Sequence, residues 1–190
     1  MTATLAVPAP ALEALRTTLL HAEHGTTLPA STRLLVGAFG GLAAALVATV
    51  AMSRLSYGSV PAYVAAGLLR GDQPNEVSRA AADATHLAAG VVAGVGYEAA
   101  NVAVARAREP MGAGGAVSVV GLVTVAEVLV GAALVTALYG VFSWLVFPRF
   151  GGNAYETRPA TVRRQWAISA VVYAVGLVVF VGTLYEVLPL

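Results

Sequence analysis

The chain alternates between long apolar runs and short polar connections, and the apolar runs are too long for the helices of a water-soluble fold. Residues 34–53, LLVGAFGGLAAALVATVAMS, carry no charge at all. A second run covers 85–105, a third 116–147 with Glu127 as its single interruption, and a fourth 166–188 with Trp and Tyr at its ends. An α-helix rises about 1.5 Å per residue, so roughly 20 apolar residues cross about 30 Å of hydrocarbon. The pattern predicts an all-α bundle of four transmembrane helices. The third run is long enough to demand tilt or extension beyond the bilayer, and Tyr139-Gly140 is the expected place for a bend.

The connections read as follows. YGSVPAYVAAGLLRGDQP predicts a short interfacial helix that begins near Pro61 and stops at Gly71. REPMGAGG, residues 108–115, predicts a tight turn, and 149–165 a polar loop with turn signals at Gly151-Gly152 and Arg158-Pro159. Ahead of the first span, residues 10–24 place Leu12, Leu15, Leu19 and Leu20 on one side of an amphipathic helix. The sequence therefore divides into an N-terminal segment, 1–33, and a single transmembrane domain, 34–190. A basic start followed by an apolar core is missing from the N-terminal segment, so it is not read as a signal peptide.

Composition agrees with this reading: 58% of residues are hydrophobic and 11% charged. The formal net charge of +1, with scattered Arg and no basic stripe, gives no basis for nucleic-acid binding. All basic residues are Arg, and Ile occurs once among abundant Ala, Val and Gly, a bias typical of a GC-rich prokaryotic genome. The chain has no Cys, which excludes thiolate metal sites, iron–sulfur clusters and cysteine nucleophiles. Seven Arg residues (54, 70, 79, 149, 158, 163 and 164) lie in the first and third connections, against Arg16, Arg33, Arg106 and Arg108 on the other side. Positively charged short loops stay in the cytoplasm. The expected location is the cell membrane, with both termini outside.

Small residues recur every four positions at Gly37, Gly41, Ala45 and Thr49 in the first span and at Gly90 and Gly94 in the second. Such ridges let helix backbones approach closely in lipid, where van der Waals contact replaces the missing hydrophobic drive. His86 and Glu98 flank the second ridge at the same spacing. His86 falls one turn inside the span and Glu98 toward its outer end, within reach of headgroups. Glu127, eleven residues into its apolar run, is the expected mid-membrane acid. An unpaired carboxylate there costs about 2.5–3.5 kcal/mol on insertion scales, so it calls for a partner or a proton. The candidates are His86, Tyr97, Asn101, Thr49, Ser53, Ser169 and Tyr173.

Other constellations are weaker. His21, Glu23 and His24 in HAEH lack the third and fourth ligands of a metal site. His86 is the single intramembrane His, so one chain cannot supply two axial haem ligands. Ser53, Ser56, Tyr57 and Ser59 around Arg54 have no base at catalytic spacing and read as interfacial anchors. No metal, organic cofactor or enzymatic activity is expected.

The stretch GGLAAALVATVAMSRLSYG, followed by PAYVAAGLL and THLAAGVVAGVGYE, resembles small four-span prokaryotic membrane proteins of the YagU-like families. Gly41, Met52, Pro61, His86, Gly90, Gly94 and Tyr97 carry the likeness, over about residues 37–98. The resemblance implies a four-helix bundle and no particular reaction. Two functional expectations follow: a scaffold or subunit of a membrane complex, with the bilayer and a second copy or another membrane protein as partners, or a small proton- or ion-coupled transport unit organised around Glu127 and His86.

Overall fold

A computed structural model describes residues 28–108, 119 and 123–188. The described residues form four long apolar helices, α1 (Ala30–Ser53), α3 (Arg79–Arg108), α4 (Val125–Phe150) and α6 (Pro159–Val187), each able to cross a membrane. A short helix, α2 (Val60–Arg70), follows the first, and another, α5 (Gly152–Thr157), precedes the last. The long helices run up and down in turn. One end of the bundle, called here the Arg33 end, holds the start of α1 and the last turns of α6, while α2 and α5 cover the other, the α2 end.

Three spans overrun their apolar windows: α1 starts at Ala30, α3 covers Arg79–Arg108 and α6 starts at Pro159. Hydropathy marks the part of a helix that lipid surrounds. The hydrogen-bonded backbone continues into the interface, and α3, at about 45 Å, exceeds the hydrocarbon thickness.

The third span differs in kind, because helix begins at Val125 rather than at 116. Thr124 is its N-cap, and just before it the Val119 amide donates to the Val123 carbonyl at 2.7 Å, in the direction opposite to a helical bond. Residues 116–118 and 120–122 lie outside the described residues, as do the 10–24 segment, the HAEH cluster and residues 109–115. Next to the expected bend, α4 widens into a π-turn over Val141–Val146, which brings Ser143 fully into the interior.

Pro61 sits in the first turn of α2, where its missing N–H is not needed, and Gly71 ends the helix in the left-handed conformation with φ 75°. Eleven residues are too few to span. Met52, Ala62, Ala66, Val77 and Ala82 close the junction of α1, α2 and α3. The stretch 149–165 is not a polar loop: α4, α5 and α6 follow one another, and its turn signals mark the two breaks between them. Here Phe147 stacks on Tyr155 with centroids 5.5 Å apart, beside Val64 and Val162. The Arg163 guanidinium lies over the Tyr155 ring and also donates to the Tyr155 hydroxyl.

Candidate functional site

α1 and α3 meet along two matched rows of small residues. On α1 the row is Arg33, Gly37, Gly41 and Ala45, and on α3, running the other way, it is Glu98, Gly94, Gly90 and His86. A Cβ added to Gly37 would lie 2.5 Å from the Gly94 carbonyl oxygen, and one added to Gly90 would lie 2.5 Å from the Ala45 Cβ. Gly41 and Gly94 are equally intolerant of a side chain, since each faces the backbone of the other helix. The hydrogens that stand in for these side chains point at carbonyl oxygens, the arrangement of weak Cα–H···O bonds.

A polar clasp closes each end of this glycine seam. At one end the Arg33 Nε donates to Glu98 Oε2 at 3.0 Å, with both side chains buried. The Tyr185 hydroxyl, arriving from α6, donates to the same oxygen at 2.7 Å. At the other end the His86 Nε2 lies 3.0 Å from the Ala45 carbonyl oxygen, which also accepts from Thr49 Oγ1 at 2.8 Å. A carbonyl can only accept, so His86 carries its proton on Nε2. Between the clasps the Tyr173 hydroxyl of α6 donates to the Gly90 carbonyl at 2.7 Å. On its other face α1 lays Gly40 and Ala44 against Val181 and Gly176 of α6, a second close approach.

These positions correct two of the expectations drawn from sequence. Glu98 lies toward the Arg33 end, as its place in the span implied, but its side chain turns inward and is fully buried within the bundle instead of reaching outward. α3 continues ten residues past it, while α1 starts three residues before Arg33. Glu127 is not a mid-membrane acid but the third residue of a capping box at the start of α4. Its Oε2 accepts from the Thr124 amide at 2.7 Å and from Thr124 Oγ1 at 3.0 Å, and its own amide donates to Thr124 Oγ1 at 3.2 Å. The hydroxyls considered as its partners bond elsewhere: Ser53 to the Val50 carbonyl, Ser169 to that of Gln165, Thr49 and Tyr173 as above.

Tyr97 is buried against α4, where a Cβ on Gly131 would meet its ring at 3.6 Å. Asn101 is buried one turn beyond Glu98, and neither its Nδ2 nor Glu98 Oε1 has a hydrogen-bond partner. Glu98, Tyr97 and Asn101 thus gather near the Arg33 end, and His86 stands apart from them at the far end of the seam. Two members of the buried cluster, Arg33 and Tyr185, were missed from sequence. Arg33 carries a signal, because it is in phase with Gly37, Gly41 and Ala45. Among the described residues no three of His, Cys, Asp or Glu gather into a metal-ligating set.

The chain is a multi-pass helical protein of the membrane class, built on a glycine seam with a polar clasp at each end. No family model, curated protein or solved structure matches it.

Proposed function

We propose that this chain is a non-enzymatic subunit or scaffold of a membrane assembly, seated in the cell membrane and engaging another membrane protein through small-residue helix faces. The observation that carries the reading is Gly96. It lies on the exposed side of α3, where a Cβ would meet nothing within 4 Å. Glycine inside a helix costs up to about 1 kcal/mol against alanine, and the packing of the described residues gives no reason to keep it. A neighbouring helix would supply the reason, because a glycine ridge lets its backbone come close. Ala88, Ala99 and Ala103 are exposed along the same side of α3, and Ala132, Ala133, Thr136 and Ala137 are exposed on α4. The most apolar stretch of α4 is also only 6% buried, against 28–39% for the other three spans.

The competing reading, a proton- or ion-coupled unit, needs Glu127 and His86 to act together. His86 shares a cavity with Leu138, eleven residues along α4 from Glu127. That places the two groups about 16 Å apart along the bundle, and the Glu127 carboxylate already caps a helix. The subunit reading is the better supported. Native mass spectrometry of protein extracted gently from its own membrane tests it. A stoichiometric second protein, lost on Gly96→Leu with helicity retained, is the expected result. A wild-type monomer would overturn the reading, and a homodimer alone would move weight to transport.

A further inference from the structure

Three exposed apolar stripes end in an arginine at the α2 end of the bundle. On α1 the exposed residues Phe39, Leu46 and Val50 lead, four positions after the last, to Arg54. On α4 Val141 and Leu145 lead at the same spacing to Arg149. On α6, which runs the other way, Val175, Val171 and Ile168 lead back to Arg164. Spacings of three, four and seven keep a row on one helix face, so each arginine stands one turn beyond apolar side chains that face the bilayer. Arg149 shows this directly, since its Nη1 donates to the Leu145 carbonyl at 3.0 Å. The Tyr57 amide donates to Gln165 Oε1 at 2.6 Å, which draws the turn after Arg54 to the residue next to Arg164.

Charge at this end is not balanced. Its seven arginines stand against Asp72, Glu76, Asp83 and Glu156. Asp72 pairs with Arg70 at 2.8 Å and Asp83 with Arg79 at 3.6 Å. Arg54, Arg149 and Arg164 are exposed and belong to no ion pair among the described residues. At the Arg33 end the stripes of α1 and α6 run out on Thr32 and Thr183 instead.

We propose that Arg54, Arg149 and Arg164 bind the headgroups of anionic phospholipids in the leaflet at the α2 end. The acyl chains lie along the apolar stripes, and each headgroup meets the guanidinium that closes its stripe. A guanidinium forms paired hydrogen bonds to a phosphodiester. In phosphatidylcholine an ammonium offsets that phosphate, and in phosphatidylglycerol nothing does, so the unpaired cations select lipids of net negative charge. A basic side chain close to the bilayer surface favours such a lipid about fivefold. These positions are separate from α3 and from the first half of α4, which carry the subunit reading.

The full chain is placed in phosphatidylcholine bilayers with a trace of spin-labelled phosphatidylglycerol or spin-labelled phosphatidylcholine. The motionally restricted fraction of each spectrum gives the relative association of the two lipids with the protein. Averaged with the unselective positions around the bundle, phosphatidylglycerol should be preferred about twofold. The preference should shrink in each of Arg54→Gln, Arg149→Gln and Arg164→Gln and nearly vanish when all three are combined. Arg70→Gln, Arg79→Gln and Arg158→Gln together remove the same charge from the same end at positions that close none of these stripes, and should leave most of the preference. Circular dichroism identifies the folded variants, and the single replacements carry the test if the combined one does not fold. Equal association of both lipids with the wild type, a preference that survives in the folded stripe variants, or an equal loss in the Arg70, Arg79 and Arg158 control would overturn the proposal.

Discussion

Gly94 and Gly96 stand two residues apart on α3, and the same substitution should act on them in opposite directions. A methyl group on Gly94 would lie 2.8 Å from the Cα of Gly41, with backbone rather than a flexible side chain to displace. Gly94→Ala should therefore cost about 1–3 kcal/mol, the range of overpacked cores. Gly96→Ala meets open space and should stabilise the isolated chain by up to about 1 kcal/mol. Unfolding by denaturing detergent measures both, and equal effects would mean that the seam is not the main contact between α1 and α3. The buried pair gives a second contrast. Arg33→Met leaves the buried Glu98 carboxyl without its cation, and Glu98→Met leaves the guanidinium without its carboxylate. Each should cost about 3–5 kcal/mol, whereas the double replacement should cost less than either alone. Additive losses in the same assay would show that the two groups do not act as a pair.

At the scale of elements, the start of α4 shows how far local sequence reaches. Thr124→Ala removes the cap and should cost about 1 kcal/mol. Glu127→Gln keeps the capping box, because a Gln side chain serves in the same position. Amide exchange in the first turn of α4 should quicken in the first variant and change little in the second. If Glu127→Gln were the more damaging, the carboxylate would have a role beyond the cap. The signature for this helix start, T-x-x-E at 124–127, is present in the sequence, but continuous hydropathy from 116 onward hides it. Uncharged length reports how much chain lipid can surround and says nothing of where the first helical hydrogen bond forms. The four spans and the short helix after the first were legible because length and punctuation decide them. The Arg33–Glu98 contact was not, because it joins residues 65 apart and requires the register between two helices. The glycine stripes hold that register: with Gly37 set against Gly94, the next position outward on each helix is Arg33 and Glu98. By its place ahead of the uncharged run Arg33 reads as a loop charge, and only its phase with Gly37, Gly41 and Ala45 points to the seam.

For the whole molecule, this pairing bears on orientation in the membrane. Arg33 was one of the residues opposing an outside N-terminus, since a free Arg on that side favours the cytoplasm. Held in a buried ion pair with Glu98, it no longer acts as a free loop charge. The Arg33 end keeps Arg106 and Arg108 among the described residues, while the α2 end keeps all seven of its Arg residues, six of them exposed. The asymmetry is therefore larger than the raw count, and the orientation we propose from it has α2, α5 and the α2 end facing the cytoplasm. Because the chain has no Cys, single introduced thiols report sidedness without background. Ser78 precedes α3 at the α2 end and Glu186 closes α6 at the Arg33 end, and both are exposed. In intact cells a membrane-impermeant maleimide should label Glu186→Cys at once and Ser78→Cys only after permeabilisation. The reverse pattern would put the two-Arg end in the cytoplasm, and some force other than loop charge, such as an assembled partner, would then have to set the orientation of this bundle.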